Sequence, residues 1–361
     1  MKILILTSAL FLSFVSSIVA EPYIAVREGL KCSACHSNVT GGGKRTPMGA
    51  GYGVIDLPWK PADLQSQKIP HYFSLIDDLL SIGSDFRAFN RSTFSDGGPE
   101  TNTFQTDKSN LYLQADLIRD RLTFYLDETV APGGSQTREL FGMLHNLPGR
   151  GWIKAGKLIQ PFGLRMEDDR AFIRESTGFT FSNPDSGVEI GFEPGGFTVM
   201  ASVTNGTSSL VDNNLSKQFV GTLGYIGDSF RAGSSASYNG GGDETRRVHG
   251  GWAGLRIKNL VFLGEADWIW DEELNKERDQ MATYAEVDYK VTNGWNFKVA
   301  YEYYDPDRRV EENERDRVII GVETFLTSFV QLQLFYRFNQ SIPQNIPQNA
   351  DELLLRLHIY F

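Results

Sequence analysis

The chain is poor in cysteine and histidine. Its 361 residues include two cysteines and five histidines, and one string, Cys32-Ser33-Ala34-Cys35-His36, holds both cysteines and one histidine. A zinc site needs about four protein ligands, and one pair of cysteines cannot supply them. The sulfur chemistry of this protein is therefore confined to a single short segment.

The chain also lacks an excess of basic residues. Its 35 Lys and Arg residues face 45 Asp and Glu residues, for a net charge of −10, so we expect no nucleic-acid partner. No run of about 18 apolar residues follows residue 20, so no transmembrane helix is expected there. Aromatic residues and glycine are plentiful, which is typical of a soluble domain or of an outer-membrane β-barrel.

Residues 1–20 have the features of a secretory signal peptide. Lys2 precedes a long apolar stretch, and the small residue Ala20 precedes Glu21-Pro22. This pattern predicts cleavage after Ala20 and export of the remaining chain. A membrane anchor is the alternative, but no basic cluster follows Ala20 to stop transfer.

Alternation of apolar and polar side chains indicates β-strands from residue 80 to the C-terminus. The same pattern occurs in 295–304, in 330–339 and in the last nine residues. In that last segment, one face carries Leu353, Leu355, Leu357, Ile359 and Phe361. A soluble sandwich shows such alternation too, but strands that end on aromatic residues favour a membrane barrel with lipid outside and a polar lumen.

Short and long connections alternate between these segments, as in outer-membrane barrels. The pattern predicts an all-β fold, an outer-membrane antiparallel β-barrel of about 16 strands of roughly nine to twelve residues over 80–361. We expect an aqueous interior and both barrel ends on the periplasmic side. The stretch 154–176 resembles phosphate-selective porins, chiefly through Gly156 and Pro161-Phe162-Gly163, which supports a porin-like barrel.

The string C-x-x-C-H is the attachment pattern of c-type haem. Cys32 and Cys35 would form thioethers with one covalently attached haem c, and His36 would be the proximal iron ligand. A Cys32–Cys35 disulfide and a zinc half-site are the alternatives. Met48 is a candidate distal ligand, His71 is another, and a five-coordinate iron is the third option.

The segment 21–60 is too short to enclose a haem by itself. We therefore expect it to plug or cap the barrel, with 61–79 as the linker.

The N-terminal residues resemble the fused monohaem cytochrome–porins of bacterial outer membranes, whose best-known members are extracellular iron oxidases. The shared residues are Pro22, Arg27, Gly29, Cys32, Cys35, His36, Gly49 and Tyr52. The family has an aromatic residue where Met48 stands, and the run 40–47 also departs from its pattern.

The resemblance implies an outer-membrane protein whose haem segment lies on the periplasmic side or in the lumen. It also implies electron transfer between an extracellular donor or acceptor, such as Fe(II), and a periplasmic cytochrome or other carrier. An Fe(II):cytochrome c oxidoreductase activity would follow if iron is the donor. The second hypothesis is a diffusion porin for small solutes with a regulatory or plugging haem segment. The third is a sensor or peroxidase with an open iron site.

Overall fold

The computed structural model describes residues 21–63, 74–76, 79–95, 100–166, 168–208, 212, 214–241, 244–273, 276–340 and 349–361. The predicted signal peptide, His71 and most of the linker lie outside the described residues. We call residues 21–63 the plug.

Sixteen antiparallel strands form one closed barrel, in which each strand pairs with its neighbours in sequence. The strands are β1 Leu80–Phe94, β2 Thr101–Ile118, β3 Leu122–Ala131, β4 Gln136–Leu147, β5 Gly151–Leu158, β6 Asp185–Phe192, β7 Phe197–Thr204, β8 Gln218–Ile226, β9 Phe230–Gly241, β10 Glu244–Ile257, β11 Leu260–Glu273, β12 Lys276–Thr292, β13 Trp295–Asp305, β14 Arg315–Thr327, β15 Val330–Asn339 and β16 Asp351–Tyr360. Strand β16 closes the barrel by pairing with β1, from Asp351 opposite Phe94 to Tyr360 opposite Asp85. The three-residue strand Ser74–Ile76 adds to the start of β1. The predicted fold class is confirmed.

The alternation of apolar and polar side chains separates an apolar outer face from a polar inner face, as predicted. In β16, Leu353, Leu355, Leu357 and Ile359 point outward, whereas Arg356 and His358 are buried in the interior. Outward-facing aromatic residues cluster at both ends of the wall. His249 stacks on Trp268 and Trp270, and Tyr225 contacts Phe197 and Phe230. An apolar outer band with aromatic residues at its edges is the arrangement of a barrel that spans a bilayer.

Several strands are longer than the predicted nine to twelve residues. Strand β2 has 18 residues and β12 has 17, and β9 ends at Gly241 only shortly before β10 begins at Glu244. The polar sequence at these hairpins predicts loops, but pairing continues beyond the apolar band because polar side chains pair across it. One example is Arg246, which donates to Asp271 at 2.7 Å across β10 and β11.

Five short helical elements lie inside the barrel or at its mouth. The plug contains α1 Pro22–Glu28, α2 Cys32–Cys35 and α3 Pro47–Gly51, which continues into a π-helical turn, Tyr52–Asp56. Helix α4, Phe172–Thr177, belongs to the long connection between β5 and β6. Among the described residues, no helix is long and apolar enough to cross a membrane.

The plug and an inward connection occupy much of the lumen, so the expected aqueous interior is confined to cavities between them and the wall. The plug enters from one end, and the connection from 159 to 184 folds inward from the wall. Their apolar residues meet in one core, where Tyr23 and Val26 of α1 pack with Leu164 and Ile173. Alternation within single strands could not show this, because the residues that fill the lumen come from segments outside the strands.

Candidate cofactor site in the barrel lumen

The plug lies at the barrel end that carries the short turns. The backbone N–H of Trp59 donates to the carbonyl of Phe325 at 2.7 Å, close to the turn after β14. The Lys31 ammonium group donates to the carbonyl of Phe197, the first residue after another short turn. The plug therefore occupies the lumen from this end.

Helix α1 begins the plug and is fixed at its C-terminal end. Pro22 opens the helix, where a missing N–H costs nothing, and Gly29 ends it in the left-handed conformation. Arg231 of β9 donates to the carbonyls of Ala25 and Leu30, the latter at 2.8 Å. These bonds tie the end of α1 and the residues after it to the barrel wall.

The cysteine motif forms the one-turn helix α2. Cys32 and Cys35 are three residues apart and so lie on the same face of the turn, and the His36 N–H donates to the Cys32 carbonyl at 2.9 Å. His36 already has extended backbone. The turn therefore presents two thiols side by side, with the imidazole directly after them.

A glycine-rich loop holds this turn against the barrel wall. His36 pairs with Arg45 across the loop, and an added Cβ at Gly43 would lie 2.0 Å from the hydroxyl oxygen of Tyr125. Thr46 caps α3 by accepting from the Gly49 N–H and donates its hydroxyl to Ala34. The glycines thus permit close contact with the wall.

Cys32, Cys35 and His36 line one cavity between the plug and the wall. The cavity has a volume of about 210 Å³ and is open at one side. Most of its exposed lining is apolar. It therefore offers an apolar surface to a group held beside both thiols.

The barrel and the inward connection supply the rest of the lining, which the sequence did not identify. The wall contributes Met200, Arg231 and Trp252, and the connection contributes Arg165. Arg165 donates to the carbonyls of Thr40, Gln160 and Ile159, at 3.1 Å each. Of these four residues, only Arg165 lies in the stretch 154–176, which has a distinctive sequence pattern. Nothing in the sequence distinguishes the three strand residues from other inward-facing positions.

Neither predicted distal ligand is found among the described residues that line this cavity. Met48 is half exposed, its sulfur lies 3.9 Å from Cys35 Sγ, and it is not among the residues that line the cavity. His71 lies outside the described residues. Among the described methionines, Met200 lines this cavity.

The two cysteines are free thiols in this structure. Burial raises the pKa of Cys32 and also that of Cys35, so both side chains are held as neutral thiols. No group of three or more His, Cys, Asp or Glu side chains among the described residues is arranged to hold a metal ion by itself.

The residues present fit a covalently bound haem c. The fit rests on the convergence of both thiols and His36 on one apolar cavity and on the presence of Gly41 and Gly42 in its lining. An added Cβ at Gly41 would lie 3.2 Å from Cys32 Sγ, in the space next to the thiol.

Comparisons with known proteins identify the fold. No protein-family model and no curated protein matches the chain. Among solved structures, an anion-selective porin from Comamonas acidovorans has a TM-score of 0.61 at 12% identity, over 78% of this chain and 99% of the porin. OprB of Pseudomonas putida, at high pH, has a TM-score of 0.62 at 9% identity, over 80% and 95%.

A third similar structure is the OmpT of Vibrio cholerae expressed in the outer membrane. Its TM-score is 0.60 at 13% identity, over 78% of this chain and 97% of OmpT. Identities this low establish a shared architecture and nothing finer. The chain has a barrel of the porin fold, with a plug that brings two thiols and a histidine to one apolar cavity.

Proposed function

We propose that this chain is a porin-like barrel of the bacterial outer membrane that carries one covalent haem c in its plug and transfers electrons. The observation that carries the proposal is the placement of Cys32, Cys35 and His36 on one mostly apolar cavity. The apolar outer band of the wall supports the membrane location.

Each residue of the motif has a definite role in this proposal. The thiols of Cys32 and Cys35 would form the thioethers, and His36 would supply the proximal nitrogen. The plug and the wall surround the cavity on most sides. When bound, the haem would supply a one-electron redox centre, whose potential depends on the axial ligands and on burial.

The position of the plug suggests the partners. If the short turns face the periplasm, as in other outer-membrane barrels, the cavity lies near a periplasmic cytochrome or other electron carrier. An extracellular donor or acceptor, for which Fe(II) is a candidate, would exchange electrons from the opposite end. The hydrocarbon core is about 30 Å thick, so that small partner would have to enter the barrel.

A diffusion channel is the second candidate function. The architecture shared with an anion-selective porin and with OprB favours it, and taken alone these similarities support a plain channel better than electron transfer. In that case the plug would regulate or close the pore. The packing of the plug and of the 159–184 connection in the lumen argues against an open pore in this state.

The first experiment is an absorption spectrum of the protein purified from outer membranes of a host that attaches c-type haem. We expect reduced c-type bands that persist after denaturation in the wild type and are absent in Cys32→Ser/Cys35→Ser. Rapid reduction by Fe(II) would support iron as donor. A purified barrel without covalent haem would contradict the proposal.

Conductance in planar bilayers tests the second function. We expect the holoprotein to conduct poorly and a variant without residues 22–60 to conduct more. A large, stable conductance of the intact protein would favour a diffusion channel instead.

A further inference from the structure

Carboxylates outnumber cations where the plug begins. Glu21 accepts from the Lys298 ammonium group at 2.9 Å, and Lys298 also contacts Glu286 at 3.0 Å and Asp288 at 3.9 Å. All of the barrel residues in this group are buried. Lys298 is thus the shared ion-pair partner of three carboxylates. One positive charge cannot balance three buried negative charges.

A fourth carboxylate, Glu323, has no cation within ion-pair distance among the described residues. It is fully buried and accepts only from neutral amides, namely Gln331, Gln333 and Asn296, at 2.9 to 3.0 Å. Gln333 also donates to Glu21 at 3.0 Å, which places Glu323 close to the start of the plug. The group near Glu21 therefore holds more carboxylates than cations among the described residues.

A small cavity of about 40 Å³ adjoins this group. Glu21, Pro22 and Gln333 line it, together with Arg337, which is paired with Asp168 at 2.6 Å. Gln333 Oε1 is a buried acceptor that receives no hydrogen bond from the described residues. An unsatisfied acceptor between Glu21 and Glu323 is a place for a cationic donor.

The expected donor is produced by signal cleavage. Hydrolysis of the Ala20–Glu21 peptide bond by a signal peptidase adds the hydroxyl of water to the Ala20 carbonyl and a proton to the Glu21 nitrogen. Near neutral pH the new amine is largely an ammonium group with three N–H donors. We propose that the barrel lumen contains a binding site for this α-ammonium group, formed by Glu323 and Gln333.

The site would couple processing to plug docking. A signal sequence of 20 residues in helical form is about 30 Å long and about 10 Å across, which the cavity beside Glu21 and Pro22 cannot hold. The plug would therefore dock only after cleavage. This inference does not depend on the haem.

The first test is burial of the mature N-terminus. The purified protein is sequenced from its N-terminus, then reductively methylated with deuterated formaldehyde in the folded and denatured states, and the N-terminal peptide is followed by mass spectrometry. We expect a sequence that begins at Glu21 and labelling at least about tenfold slower when folded. The exposed Lys258 should react alike in both states. A different start, or equal rates at the N-terminus, would overturn the proposal.

The second test removes the charge of Glu323 by Glu323→Gln, which keeps the side-chain size. Because Glu323 also accepts from three amides, a lower unfolding temperature alone would not identify an ammonium group. With an ammonium bound, the substitution should speed N-terminal labelling of the folded protein, and labelling as slow as in the wild type would refute the site. Glu277→Gln, on the barrel surface, is the control.

A third variant moves the ammonium group without changing the barrel. Gly-Ser inserted between Ala20 and Glu21 should abolish the slow labelling, whereas Gly-Ser inserted between Gly133 and Gly134, in an open turn, should leave it intact. Protection that survives the N-terminal insertion would show that the lumen does not recognise the ammonium position.

Discussion

The side-chain amide of Asn38 donates to Glu139 Oε2 at 2.7 Å, and both residues are fully buried between the plug and the barrel. Asn38 Oδ1 also accepts from Lys154 at 3.2 Å. A single plug residue thus satisfies a buried anion and a buried cation of the wall.

The first prediction concerns this contact. Asn38→Ala leaves Glu139 and Lys154 without a shared partner, which should cost about 1–3 kcal/mol of plug docking. We expect faster proteolysis of the plug at unchanged barrel content by circular dichroism. Asn102→Ala, at an exposed position, is the control, and equal proteolysis of both variants would show that the bond does not hold the plug.

The second prediction compares two glycines of α3. An added Cβ at Gly49 would lie 2.2 Å from the Cys35 carbonyl oxygen, whereas nothing lies within 4 Å of one at Gly51. Gly49→Ala should separate α3 from the cysteine turn and reduce covalent haem per barrel severalfold. Gly51→Ala should incorporate haem normally. Haem staining on denaturing gels measures both, and full haem in Gly49→Ala would contradict the described packing.

The third prediction concerns the distal haem position and rests on the proposed function. Met200 lines the cavity and Met48 does not, so we expect Met200→Leu to alter the oxidised spectrum and lower the reduction potential, because a thioether ligand raises it. Met48→Leu is the matched comparison. The reverse result, with Met48→Leu alone changing the spectrum, would support the ligand suggested by the sequence.

The fourth prediction is a pH dependence. Burial lowers the pKa of Lys44 to about 8, although Asp116 acts in the opposite direction. The folded state therefore binds this proton more weakly than the unfolded state does. Stability should be reduced below about pH 8 and should rise between about pH 8 and 10.5.

Lys44→Met removes the cost of burying a charged group. It should raise the free energy of unfolding by about 2 kcal/mol at pH 7 and flatten the increase above pH 8. Unfolding in detergent followed by circular dichroism from pH 7 to 10 measures this. Lys258→Met is the control; a Lys44→Met variant that is no more stable than wild type at pH 7 would refute the assignment.

The barrel could be predicted because its signals are local. Each strand carries its own alternation, as in 351–360, and each short connection, such as Lys258-Asn259, contains its own turn residues. The length of strands could not be predicted as well, since Arg246 and Asp271 look like loop residues until their pairing across the hairpin is known.

The sequence by itself determined the antiparallel barrel and the one segment with thiol chemistry, because periodicity and the spacing from Cys32 to His36 are properties of neighbouring residues. Only the tertiary structure decided that the plug occupies the lumen, that Met200 and Arg165 line the same cavity as the cysteine turn, and that Gln333 bridges Glu21 and Glu323. Those contacts join residues far apart in sequence. They exist only because barrel closure between β16 and β1 fixes which inward-facing positions surround the plug.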